Sequence, residues 1–194
     1  VAKFGGSSMA DANQYRKVKS IISADPDRQV VVVSAAGKRN KKDHKITDLL
    51  YLCHAHVRFG VACDPIFDMI TQRYLQIRDE LGLKTPLEEE FAILKQRLDN
   101  GAVTEDELAS RGEYYSALLM AEFLGFRFVD AADWIRFRMD GSVDQSASYE
   151  ALGEISAVGG IVIPGFYGRM PDGRIRTTFQ NLVTATGRLS STEP

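Results

Sequence analysis

Four consecutive valines, Val30-Val31-Val32-Val33, run straight into Ser34-Ala35-Ala36-Gly37, and this stretch limits the fold more than any other. An unbroken β-branched run has no polar face to offer water, so it reads as a strand buried on both faces of a parallel sheet. A parallel neighbour requires a crossover, and the sequence supplies one upstream. Val1-Ala2-Lys3-Phe4 reads as a first strand; Tyr15, Val18, Ile21 and Ile22 then share one helical face until Asp25-Pro26-Asp27 breaks the helix. Strand, helix and strand form a βαβ unit, and ligands of such units collect beyond the carboxyl ends of the strands.

The first of those ends is Gly5-Gly6-Ser7-Ser8. Glycines can take φ > 0 and bring consecutive N–H groups close to a phosphate, and the serine hydroxyls add donors. Ser8 followed by Asp11 fits a capping box, so a helix starting there would aim its positive end at the same anion. Lys3, two residues before the loop, supplies a full charge that can lean over it and meet a phosphoryl group. The same letters also describe a ligand-free strand, turn and capped helix, and the lysine precedes the glycines, unlike the P-loop order. Ser34, at the end of the second strand, is expected near Gly5 and Gly6.

With 194 residues, 44% hydrophobic and 26% charged, the chain has enough apolar content for one large globular domain. Its net charge of -2 and pI near 6.0 argue against nucleic acid as a partner. No apolar run approaches the ~18 residues of a membrane span, and no signal layout opens the chain. Cys53 and Cys63 give no disulfide framework, and the expected setting is reducing and cytoplasmic. His54 and His56 lie two apart on a helix and so diverge, which argues against a metal site with those cysteines.

Residues 38–45 form a basic polar run, either a solvated loop or a flap whose cations steer an anionic substrate. From Thr47 to Leu124 the pattern is almost wholly helical. Spacing reads Thr47 as an N-cap, Thr85-Pro86-Leu87-Glu88 and Thr104 to Glu107 as helix starts, and Ser110-Arg111-Gly112-Glu113 as a third capping box. Strands return at Phe126 to Asp130 and at Gly160 to Pro164; Asp172-Gly173 then marks a hairpin with Arg174 to Phe179 as its returning strand. The expected architecture is a three-layer α/β/α domain with a mainly parallel sheet.

Five segments together carry a resemblance: Lys3-Phe4-Gly5-Gly6-Ser7-Ser8, Val31-Val32-Val33-Ser34-Ala35, Ile46-Thr47-Asp48-Leu49-Leu50, Ser110-Arg111-Gly112-Glu113, and Pro164-Gly165-Phe166-Tyr167-Gly168 with residues 173–178. In this order they resemble aspartate kinase, of the amino acid kinase superfamily, over residues 1–179, the amino-acid-binding lobe. The resemblance implies transfer of the γ-phosphoryl group of ATP, with Mg²⁺ carried by the ATP, to the side-chain carboxylate of L-aspartate, on the route to lysine, threonine and methionine. It implies that Lys3 is catalytic and neutralises charge developing on the phosphoryl oxygens, and that Gly5, Gly6 and Ser7 cradle phosphate. It further implies that Thr47 and Glu113 bind aspartate, the glutamate taking its ammonium group, with Ser34 beside the same pocket.

After Phe179 the family pattern continues with Arg-Gly-Gly-Ser-Asp, whereas this chain reads Gln180-Asn181-Leu182-Val183-Thr184 and onward to Pro194. Residues 180–194 are therefore an unaligned tail, and Arg188 takes no role from the missing arginine. The segment that holds adenine and ribose in the family is absent too, so the lobe is expected to be incomplete and poorly active alone. Two alternatives stay open. One is a non-catalytic amino-acid-binding or assembly module, forming a homo-oligomer through an exposed sheet edge; the other is a superfamily kinase acting on another acid.

Overall fold

The computed structural model describes residues 1–155 and 159–177. Strand β1 (Ala2–Phe4) leads through a 3-10 turn (Gly6–Met9) into helix α1 (Ala12–Ser23), and β2 is Val30–Val33. Four helices follow without interruption: α2 (Ile46–Arg58), α3 (Asp64–Leu81), α4 (Leu87–Asp99) and α5 (Glu105–Leu124). Next come β3 (Arg127–Phe128), the single turn α6 (Ala131–Trp134), α7 (Gln145–Gly153) and β4 (Ile161–Pro164). β5 (Tyr167–Arg169) and β6 (Ile175–Thr177) pair as an antiparallel hairpin around the Asp172-Gly173 turn, where Gly173 has φ 85°.

The main sheet has the order β1-β2-β4-β3, and every pairing in it is parallel. Phe4 is in register with Val33, and Val33 with Pro164. Gly5, Ser34 and Gly165 therefore leave the sheet side by side at its carboxyl edge, where such sheets hold ligands.

The α/β class read from the sequence holds, with unequal layers. Val31, Val33 and Val162 face the thick helical layer and join one continuous core with residues of α1 to α5. Tyr115 of α5 anchors that layer, its ring 4.9 Å from Phe91 of α4 and 5.6 Å from Tyr74 of α3, pairs worth about 0.5–1.5 kcal/mol each beyond area burial. The opposite face carries a smaller cluster, Val129, Ile161 and Ile163, covered in part by Trp134 and Ile155. Val30 and Val32 on that face are consequently only half-buried, not buried on both faces as the valine run suggests.

Other local readings are also corrected. Ile21 is 48% exposed, while Tyr15, Val18 and Ile22 are buried, because 100° steps carry residue 21 off the stripe. The first helix is capped by Asp11, which accepts from Gln14 N, and not by Ser8, which lies inside the 3-10 turn. Lys45 precedes α2, so Thr47 is inside the helix rather than its cap. Thr85 donates its hydroxyl to Glu122 on α5 instead of capping α4. The expected strand at residues 126–130 is limited to Arg127–Phe128, since Asp130 turns to cap α6. Thr104 does cap α5, accepting from Glu107 N.

Candidate functional site

The site is built where three strands end. Lys3 lies in register with Val32, which pairs with Ile163, and its side chain is exposed at the sheet's carboxyl end. Gly5 and Gly6 do not use left-handed backbone: Gly5 has φ -76° and ψ 174°, and Gly6 begins the 3-10 turn. Their missing side chains matter through close approach instead. An added Cβ on Gly6 would stand 3.1 Å from Ala35 O, whereas one on Gly5 would meet nothing within 4 Å. Gly5 therefore faces open space, and a ligand can approach its backbone. Ser8 N donates to Gly5 O at 2.9 Å, which closes the turn, while the first amides, of Gly6 and Ser7, have no acceptor within a turn of this kind.

A glycine not singled out by sequence braces this loop from behind. Gly37 N donates to Gly6 O at 2.8 Å, and a Cβ on Gly37 would fall 2.6 Å from Gly6 C and 2.9 Å from Ser7 N. Only a bare backbone fits there. Gly37 ends the small-residue stretch after β2, and the run Ser34-Ala35-Ala36-Gly37 was the available signal.

Glu113 is the charged centre of the site. It lies in the middle of α5, so Ser110 to Glu113 is no capping box, and Ser110 Oγ instead donates to Glu107 O within the helix. Its neighbour Gly112 lets α5 approach the other elements: a Cβ there would sit 2.8 Å from Ala35 Cβ and 3.4 Å from Ile46 Cγ2. That contact brings the end of β2, the start of α2 with Thr47, and Glu113 to one point. The Glu113 side chain, in a residue only 6% exposed, accepts from Gly165 N at 2.6 Å and from the Phe166 amide. Burial lifts its pKa to about 8, against the opposing pull of those amides and of the positive charge on Lys3. A buried carboxyl held by two amides and within electrostatic reach of a lysine can take in a cationic group, losing its own proton to solvent as the ion pair forms.

The structure thus gathers Lys3, Gly5, Gly6, Ser7, Ser34, Thr47 and Glu113 at one edge. Ser34 is half-buried and donates its N–H to Phe4 O; Thr47 is half-buried in the first turn of α2. Tyr74 supports them from α3, its hydroxyl donating to Gly112 O at 2.6 Å and accepting from Ala36 N at 3.4 Å. Away from this edge, His54 Nδ1 lies 3.4 Å from Glu105 and His56 Nδ1 lies 3.2 Å from Ala62 O, so the two rings diverge as their spacing requires. Cys53 and Cys63 are buried free thiols. No helix among the described residues is long and apolar enough to cross a membrane. The Arg-Gly-Gly-Ser-Asp question, the tail at residues 180–194 and Arg188 lie outside the described residues.

A parallel sheet with a glycine loop, a lysine and a buried glutamate at its strand ends belongs with the α/β proteins that hold small ligands beyond those ends. A profile of the amino acid kinase family matches residues 1–188, and the chain belongs to that family. It is 30% identical to aspartokinase 3 of Bacillus subtilis over 203 residues, covering 97% of this chain and 45% of that protein. It is similar to the crystal structure of Clostridium acetobutylicum aspartate kinase, with a TM-score of 0.89 and 44% identity over 93% of this chain and 42% of the other. The E. coli aspartokinase III structure, solved in complex with aspartate and ADP, shares the fold at a TM-score of 0.75 and 24% identity, again over 93% of this chain and 43% of the other. The chain therefore spans less than half the length of these relatives.

Proposed function

We propose that this lobe binds L-aspartate and the phosphate end of ATP for an aspartate kinase, which transfers the γ-phosphoryl group to the β-carboxylate to give 4-phospho-L-aspartate. The observation that carries the reading is the buried Glu113 carboxyl, held by Gly165 N at 2.6 Å at the same strand ends as Lys3 and the open glycine loop. Glu113 would take the substrate ammonium and Thr47 and Ser34 would donate to its carboxylates, fixing the β-carboxylate oxygen toward the loop. That oxygen is already nucleophilic, so the side chains have to align it rather than activate it. Lys3 would neutralise charge on the phosphoryl oxygens, and the amides of Gly6 and Ser7 would hold the phosphate. Mg²⁺ would enter with the nucleotide, carried by its phosphate oxygens.

The reading places the protein in the cytoplasm, in the supply of lysine, threonine and methionine. Among the described residues no strand pairs with the outer edges of β1 and β3, and these edges offer a route to self-association, which light scattering over a concentration series would detect. Substrate choice is tested by competition at equilibrium among L-aspartate, L-glutamate, N-acetylglutamate, carbamate and UMP. Preference for L-aspartate supports the reading; preference for another acid overturns it in favour of a different kinase of the family. A coupled ADP-release assay with saturating aspartate should show little turnover by these 194 residues alone.

A further inference from the structure

The basic loop at residues 38–45 is not simply solvated. Its centre is tied down by Arg73, which lies on the core-facing side of α3 between Ile70 and Tyr74. The Arg73 side chain is 5% exposed and that of Asp43 is 8% exposed. Arg73 Nη2 donates to both carboxylate oxygens of Asp43 at 2.7 Å, and Nη1 donates to Gly37 O at 2.9 Å. Asp43 also accepts from Arg39 N and Nε, each at 2.9 Å, and Arg39 Nη1 reaches Gln76 Oε1 at 3.2 Å. Burial works against the Asp43 charge, but the Arg39 hydrogen bonds and the Arg73 cation outweigh it and hold the carboxyl well below its ordinary range. Lys38, Lys41, Lys42 and Lys45 remain exposed on the tethered loop.

Gly37 is the residue through which this clamp reaches the site. Its carbonyl accepts from Arg73 and its N–H donates to Gly6 O, so one residue links the buried guanidinium to the anion loop. We infer that Arg73 is a positioning residue: by gripping Gly37 and Asp43 together it fixes the wall against which Gly6 and Ser7 are set, and so sets the shape of the phosphate cradle. The inference rests on the proposed reading of that cradle for its functional meaning, but not for its structural content. Arginine reaches the two partners with two separate nitrogens of one planar fork, whereas a lysine would have to serve both from a single nitrogen.

The test compares amide signals of Gly6, Ser7 and Gly37 by 1H–15N NMR and hydrogen exchange in the wild-type chain, Arg73→Gln, Arg73→Lys and Asp43→Asn. Asp43→Asn alters the clamp from its loop side and keeps the α3 residue. In Arg73→Gln and Asp43→Asn the Gly37 amide should exchange about tenfold faster or more, and the Gly6 and Ser7 signals should move, while β3 and α4 keep their wild-type signals. Arg73→Lys should fall between, a graded rescue that general loss of packing would not give. Wild-type signals and exchange at Gly6, Ser7 and Gly37 in any folded variant lacking the clamp would overturn the inference. Titration of the wild type with inorganic pyrophosphate separates the two claims. Unmoved Gly6 and Ser7 signals would remove the phosphate reading of the cradle, and the variant comparison would still decide the role of Arg73.

Discussion

Replacing Glu113 with glutamine should make the protein more stable at alkaline pH and remove most of a pH dependence that one buried carboxyl creates. The carboxyl pKa rises from 4.5 to about 8 on folding, chiefly through burial. A carboxyl raised in this way binds more protons folded than unfolded between those values, so its favourable contribution is complete at low pH and is lost as pH rises toward and through 8. At ~1.4 kcal/mol per unit, the effect spans about 3–5 kcal/mol from about pH 5 to about pH 9. Glutamine keeps an oxygen for the Gly165 and Phe166 amides and cannot ionise. Urea unfolding of both forms across that range should show near-equal stability at the acid end, with the variant ahead by several kcal/mol at the alkaline end. Curves that run parallel would refute the claim that Glu113 is buried and protonated near neutral pH.

Three further outcomes follow from the same geometry. Gly37→Ala, whose Cβ would press on Gly6 and Ser7 backbone atoms, should cost about 1–3 kcal/mol in urea unfolding and shift the cradle amides. Lys3→Ala should leave stability within about 0.5 kcal/mol near pH 6, since the side chain is exposed, yet abolish pyrophosphate binding and move the Glu113 titration upward by removing its facing cation. Tyr74→Phe removes the hydroxyl that donates to Gly112 O and leaves Ala36 N without its acceptor in the core, and should cost about 1–3 kcal/mol, measured by thermal or urea unfolding.

The parts of the fold visible in the sequence are those set by local periodicity. The valine run, the helical stretch ending near Leu124 and the Asp172-Gly173 hairpin are all where their patterns place them. Capping was less legible because the spacing that defines a capping box is also the spacing of neighbours on a helix. Ser110 and Glu113 satisfy the pattern in mid-helix, and Thr85 is drawn to Glu122, which lies far along the chain. The glycines of the loop were visible, but their use for close approach instead of left-handed backbone depends on Gly37 and Ala35 arriving from another strand. The tie between Arg73 and Asp43 joins residues thirty apart, and the only sequence hint is an arginine between apolar residues of a core-facing helical stripe. The charge state of Glu113 was not legible at all, since it follows from the depth of its burial.

The central claim is that Glu113 is the anchor for the ammonium group of L-aspartate. Isothermal titration of the chain with L-aspartate at about pH 7, repeated in two buffers of different ionisation enthalpy, tests it most directly. The account predicts binding that releases close to one proton, because the ammonium draws the carboxyl into its charged form, and no binding by Glu113→Gln. Equal aspartate affinity in the variant, or binding with no proton release, would contradict it.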